Sequence, residues 1–315
     1  MRTRLRKAAA PLLVAALGFS IALAFGSCAG RAGTGKKTIV VTYSILGSVV
    51  KDLVGDRFEL IVSIPNTLDP HEWEPSARDI ETINRADLVV ENGLGLEEGM
   101  GKALAQARKA GVEFFTASDH VLVRTVGKGE GLPSGDPDQE VGAQDPHLWT
   151  DPVTMEAIVD ALADEIEAGF KVDLSARRAD LDSRLEALDA EVAAQTAKLP
   201  EARRMLVTGH ESMGYFAQRY GFKLVGAIVP SLSSQAESSA AELAALKALI
   251  AAKGVSVIFT EAGTSPAVAA ALAREAKVEA VSLNTHALPE GGGYAEFIRG
   301  LASTITQSLA KGAPR

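Results

Sequence analysis

Strand-like and helix-like segments alternate through most of this 315-residue chain, and the rhythm is broken in the middle by an irregular loop and a long helical stretch. Segments 38–43 (TIVVTY), 58–64 and 87–91 (DLVVE) are apolar and rich in β-branched residues. Helical patterns at 45–54, 76–86 and 98–110 follow them in turn. Nearly continuous apolar strands alternating with helices predict a parallel sheet covered on both faces. The second half repeats the pattern, with strands at 205–208, 223–228, 255–260 and 278–283 and helices at 212–220, 239–252, 266–276 and 293–309. Between the halves, 126–145 is Gly-, Pro- and acid-rich and reads as a loop, whereas 153–170 and 175–199 read as helices. In the second of these, Leu181, Leu185, Leu188 and Val192 recur at three- and four-residue steps, and Pro200 marks its end. The expected fold is α/β, with two parallel-sheet lobes (38–170 and 201–315) joined by one long linking helix (171–200). A helix start in each lobe carries Ser with an acid three residues later, Ser76–Asp79 and Ser239–Glu242, the pattern of a capping box.

The first 27 residues read as a signal peptide. Arg2, Arg4, Arg6 and Lys7 precede an apolar run from Ala8 to Phe25, and small residues then lead to Cys28. Cys28 is the only cysteine, and Phe25-Gly26-Ser27-Cys28 resembles a bacterial lipoprotein box, so lipidation at Cys28 is expected, with 28–37 as a small, polar tether. Cleavage there removes four basic residues and no acid, which takes the net charge from −8 to −12. The mature protein is expected outside the cytoplasm, in the periplasm or at the cell surface, held to the membrane by its lipid alone.

An acidic chain without a basic block is a poor nucleic-acid binder. A single cysteine excludes an internal disulfide framework and cysteine-based metal sites, so any metal must be held by the five histidines and by carboxylates. Four histidines follow predicted strands or loops: His71 in DPHEWEP, His147 in DPHLWTDP, His210 in GHES and His286 in NTHAL. Ligands of open parallel sheets gather beyond the strand C-terminal ends, and a cleft between the lobes would bring all four together. Trp73 and Trp149 each lie two residues after a histidine and are candidate walls of a metal pocket. His120 lacks such a setting and reads as structural.

DPHEWEPSARDI, DPHLWTDP, GHESMGYFAQRYGF and FTEAGTSP resemble the zinc and manganese solute-binding proteins of bacterial ABC importers, over a span from about Thr38 to the C-terminus. The resemblance implies a two-lobe receptor that delivers Zn²⁺ to an ABC importer permease, with His71, His147 and His210 as metal ligands. The family's usual fourth ligand is an Asp after the last strand; here that position holds His286, and Glu261 and Glu72 are nearby carboxylates that could substitute. Nitrogen-rich tetrahedral sites suit Zn²⁺, whereas Mn²⁺ prefers oxygen. In the manganese branch the position of His210 tends to be Glu, so Zn²⁺ is favoured over Mn²⁺. Glu72, Glu211, Glu261, Asp145 and Asp151 are candidates to bond the outer ring N–H groups. The 126–145 loop holds no histidine, so a metal-gathering role for it is doubtful. A monomer is expected.

Alternative readings are a manganese- or iron-specific member of the same family, and a surface adhesin that keeps the metal for structure. A zinc hydrolase fits poorly. His71-Glu72 starts like H-E-x-x-H, but Pro75 stands where the second histidine belongs, and His210-Glu211-Ser212 lacks the first Gly of G-x-S-x-G. Four ligands also leave no open coordination position for a reacting water, so no enzymatic activity is expected.

Overall fold

The structure, a computed structural model, describes residues 35–131 and 139–311. The signal segment, Cys28 and most of the expected tether lie outside the described residues.

In the first lobe, β1 (Thr38–Val41), β2 (Glu59–Val62), β3 (Leu88–Glu91) and β4 (Phe114–Thr116) form a parallel sheet in the order β2-β1-β3-β4. The central strands β1 and β3 are the most apolar and are buried along their length, while edge strand β2 is half exposed. Helices α1 (Ser44–Val54), α2 (Ala77–Asn84) and α3 (Gly101–Lys109) make the crossovers. A Cβ on Gly47 of α1 would lie 2.6 Å from Val62 Cγ2, so glycine lets this helix approach the sheet edge. Strand β4 is absent from the sequence expectation. With three residues it is too short to carry a period, and its pairing to β3 comes from the sheet.

The second lobe pairs β5 (Met205–Thr208) with β6 (Lys223–Ala227), and β7 (Val257–Thr260) with β8 (Glu279–Ser282), both in parallel. Because β5 lies beside β7, the order β6-β5-β7-β8 repeats that of the first lobe. Alternate strand residues face opposite sides. Leu206, Val257 and Phe259 join the main core, whereas Val207 and Ile258 join a smaller core under helices α7 (Ala240–Lys253) and α8 (Pro266–Ala276). Both capping boxes expected from the sequence form. Ser76 and Asp79 start α2, and Ser239 and Glu242 start α7, each box satisfying two otherwise unpaired N–H groups.

Helix α4 (Pro152–Phe170) ends the first lobe and α5 (Ser175–Thr196) follows it, the two separated by a short connection that starts with Lys171 in the left-handed conformation. Leu181, Leu185, Leu188 and Val192 are the buried face of α5, as their spacing predicts. That face packs on α1 and α4 and also on α6 (Gly214–Tyr220) and α9 (Tyr294–Lys311), so it joins one core shared by both lobes. Truncating Leu185 to Ala in such a core costs about 2–5 kcal/mol.

Candidate metal centre

Each of the four histidines sits on a loop beyond the strands. His71 follows β2, His147 precedes the short 3-10 turn Leu148–Thr150 that leads into α4, His210 follows β5, and His286 follows β8. All four are at least 96% buried, being 1%, 0%, 1% and 4% exposed. One ring nitrogen from each lies within 4.8 Å of the others. Two come from each lobe, as the cleft expectation requires.

The sequence repeats Asp-Pro-His at both first-lobe histidines, and the structure gives that repeat a physical role. Asp69 Oδ1 accepts the backbone N–H of His71, and Asp145 Oδ1 that of His147, each at 3.0 Å. Local bonds of this kind, from Asp to the amide two residues on, fix the turn that presents the ring.

The outer nitrogens decide which tautomer each ring holds. Asp145 Oδ1 lies 2.8 Å from His147 Nδ1, while Arg124 donates to Asp145 Oδ2 at 3.0 Å. His71 Nδ1 lies 3.3 Å from Glu98 Oε1, and His210 Nδ1 lies 3.2 Å from Glu261 Oε1. Thr285 has one hydroxyl proton, which it donates to Glu261 Oε2 at 2.5 Å. At 2.8 Å from His286 Nδ1, its oxygen can therefore only accept. Nδ1 of His286 thus carries the proton, and its buried Nε2 has no partner among the described residues. An ionised carboxylate only accepts, so Asp145 and Glu98 likewise keep the proton of His147 and His71 on Nδ1 and turn their Nε2 lone pairs inward, whereas His210 Nδ1 makes no hydrogen bond among the described residues.

Those lone pairs converge. Nε2 of His147 lies 3.4 Å from that of His71 and 3.1 Å from that of His210. Zn–N bonds of 2.0–2.1 Å in a tetrahedron put neighbouring nitrogens about 3.3 Å apart. Facing lone pairs repel unless a cation or a proton stands between them, so the donor set fits a nitrogen-loving divalent ion.

The electrostatics differ from ring to ring. Burial, reinforced by the other histidines, holds the pKa of His147 well below its usual value, and burial also pushes His286 down to about 4. Both rings are neutral near pH 7 and ready to ligate. Burial opposes charge on His210 too, but Glu261 outweighs it and raises its pKa. Glu261 in turn is held far below the carboxylate range, because His210 and hydrogen bonds overcome its own burial. Burial lifts Asp145 to about 6 despite Arg124. An ion bound by four neutral imidazoles would find its charge balanced by Asp145, Glu261, Glu98 and Asp69 in the surrounding layer.

The other expected residues divide. Asp145 and Glu261 stand beside ring nitrogens. Glu211 is buried next to His210, with Oε1 unpaired among the described residues and its pKa pushed by burial to about 7. Asp151 instead caps α4, accepting from Val153 N–H and the Thr154 hydroxyl. Glu72 is exposed and makes no polar contact with a histidine among the described residues, because the turn that buries His71 turns its neighbour outward. Trp149 is fully buried, 5.3 Å from His147 and 5.7 Å from His286, with its indole N–H bonded to Thr285 O at 2.8 Å. Trp73 is half-buried against the first-lobe core, with no ring contact to a histidine among the described residues. The pocket thus has one tryptophan wall. His120 is exposed and stacks on Phe115 at 4.4 Å, away from the cluster. Sequence reasoning missed Asp69, Glu98, Arg124 and Thr285; of these only Asp69 left a signal, in the repeated Asp-Pro-His.

The chain is similar to several known metal-binding proteins. The zinc-binding protein TroA of Treponema pallidum is 31% identical over 242 residues, 76% of this chain and 74% of its own. Its solved structure superposes with a TM-score of 0.72 at 27% identity, covering 87% of this chain and 99% of that one. The high-affinity zinc uptake system protein ZnuA of Bacillus subtilis is 30% identical over 321 residues, 96% of this chain and 95% of its own. A manganese ABC transporter substrate-binding lipoprotein, PsaA of Streptococcus pneumoniae, is 27% identical over 267 residues, 79% of this chain and 81% of its own. The model of the family ZnuA, zinc-uptake complex component A, periplasmic, matches residues 39–308. A match of that extent makes this chain a member of the ZnuA family of periplasmic zinc-uptake components.

Proposed function

We propose that the protein is an extracytoplasmic receptor that captures Zn²⁺ with His71, His147, His210 and His286 and hands it to the permease of an ABC importer. The observation that carries this reading is the gathering of four buried imidazoles, one nitrogen of each within 4.8 Å of the others, with no carboxylate in the group among the described residues. Such a set favours Zn²⁺ over Mn²⁺, which binds nitrogen donors weakly and prefers oxygen. Four protein ligands close a tetrahedron and leave no position for a reacting water, which suits a carrier better than a hydrolase.

The reading extends to organisation. Lobes 38–170 and 201–315 each supply two ligands, and the linking segment 171–200, helical as α5 over Ser175–Thr196, limits their relative motion, so release needs only a small displacement or a ligand loop opening. Cys28 carries the lipid, and the receptor works as a monomer. No helix among the described residues is long and apolar enough to cross a membrane, which is compatible with a lipid anchor.

Competitive titration of metal-free protein tests the core of this reading, with one Zn²⁺ bound per chain and Mn²⁺ unable to displace it at equal concentration. A preference for Mn²⁺ would sink it. Intact-mass measurement of membrane-extracted protein tests the lipid at Cys28.

A further inference from the structure

A cavity of about 200 Å³ opens onto His71 and is lined by Glu98, Gln144, Leu232 and Ser233 among others. Its lining is part polar and part apolar, and it is partly open to solvent. Gln144 is exposed, and the Glu98 side chain is 41% exposed although its carboxylate reaches within 3.3 Å of His71 Nδ1. Glu98 is therefore the group that touches both solvent and the buried cluster on this side. It also fastens the two lobes across the opening. Ser233 donates to Oε1 at 2.7 Å and Gln235 to Oε2 at 3.2 Å, and Gln235 also bonds the backbone carbonyl of His71.

We propose that this cavity is the route by which the metal ion reaches and leaves the histidines, with Glu98 as the residue that first captures it and as the latch over the opening. The inference rests on the zinc-capture reading above and adds its path. A divalent ion entering from water meets a carboxylate before any imidazole, and an exposed carboxylate accepts it with less desolvation than a buried one. Swinging Glu98 toward the ion breaks its bonds to Ser233 and Gln235, which loosens the second-lobe loop over His71. The ion then passes inward to the Nε2 lone pairs, and Glu98 returns to His71 Nδ1.

Rates, not affinities, separate a route from a site. Stopped-flow exchange of Zn²⁺ with a chromophoric chelator gives both rate constants for the purified protein. Glu98→Gln keeps the size and the hydrogen-bonding reach but removes the charge, and should slow association on the order of tenfold, with a weaker dependence on salt. Gln144→Trp narrows the rim from an exposed position that does not touch the histidines. It should slow association and dissociation by the same factor, so that Kd stays within about threefold while both rates fall by about tenfold or more. Ser233→Ala should speed dissociation. Unchanged association in Glu98→Gln overturns the capture role of Glu98, and unchanged rates in Gln144→Trp overturn the route. Failure of the unaltered protein to bind Zn²⁺ at all would instead overturn the zinc reading, and the route with it.

Discussion

The carboxylate of Asp145 holds His147 twice through one oxygen, accepting its backbone N–H at 3.0 Å and facing its ring Nδ1 at 2.8 Å. Its other oxygen takes the Arg124 guanidinium at 3.0 Å, and both Asp145 and Arg124 are buried. Asp145→Asn keeps the shape but removes the charge that fixes the tautomer and partners Arg124. Outer-layer partners of ligating histidines are worth about 10- to 100-fold in metal affinity, and breaking one side of a buried pair costs about 3–5 kcal/mol. Chelator competition should show the first loss and urea denaturation of metal-free protein the second. A variant with normal affinity would mean that Asp145 is a packing residue only.

Thr285 relays Glu261 to His286 through one hydroxyl. Thr285→Val has nearly the same volume but can neither accept from Nδ1 nor donate to Glu261. His286 is then free to put its proton on Nε2, the nitrogen that faces the other rings. Zn²⁺ affinity should fall about tenfold, and Thr285→Ser should restore most of it. Equal affinities for the valine and serine variants would remove the hydroxyl from the account.

Glu97 is buried where it accepts the Thr42 hydroxyl at 2.7 Å and the Asn92 N–H at 2.8 Å, and burial, aided by the charge of Glu91, raises its pKa to about 7. Unfolded, a glutamate titrates near 4.3. Between these values the folded chain keeps a proton that the unfolded chain has lost. Glu97 therefore makes stability fall as pH rises from about 4.5 to about 7, by an amount on the order of 3 kcal/mol, and adds no further pH dependence above that range. Glu97→Gln should flatten this part of the stability profile of metal-free protein. A profile identical to that of the unaltered chain would show that Glu97 is already ionised at pH 5.

The parts of this fold legible in the sequence are those set by neighbours along the chain. The α5 leucines repeat at helical spacing, both capping boxes span three residues, and His71, His210 and His286 lie beyond runs that become strands. Glu98, Ser233 and Thr285 left no such trace. Glu98 meets Ser233 across 135 positions and His71 across 27, and Thr285 meets Glu261 across 24. Those contacts arise only once each lobe folds and, for Glu98 and Ser233, once the two lobes meet. Strand β4 fails for a related reason, since its three residues owe their conformation to β3. Trp73 and Glu72 show the converse, because adjacency to His71 in sequence does not bring their side chains to its ring.

His286 is the residue on which metal choice turns, because it completes an all-nitrogen set. In His286→Asp an anionic oxygen replaces a neutral nitrogen near the same place. Harder, oxygen-seeking Mn²⁺ gains from that exchange, while Zn²⁺ accepts either donor. The shorter side chain also leaves space that a larger coordination number can use. Zn²⁺ binding should survive with a loss of about tenfold or less, and the Zn²⁺-to-Mn²⁺ affinity ratio should fall by more than that. Competitive titration of both metals against one chelator reads both numbers. Complete loss of Zn²⁺ binding would mean that the imidazole itself is indispensable. An unchanged ratio would place the origin of selectivity in the three other histidines and the carboxylates around them.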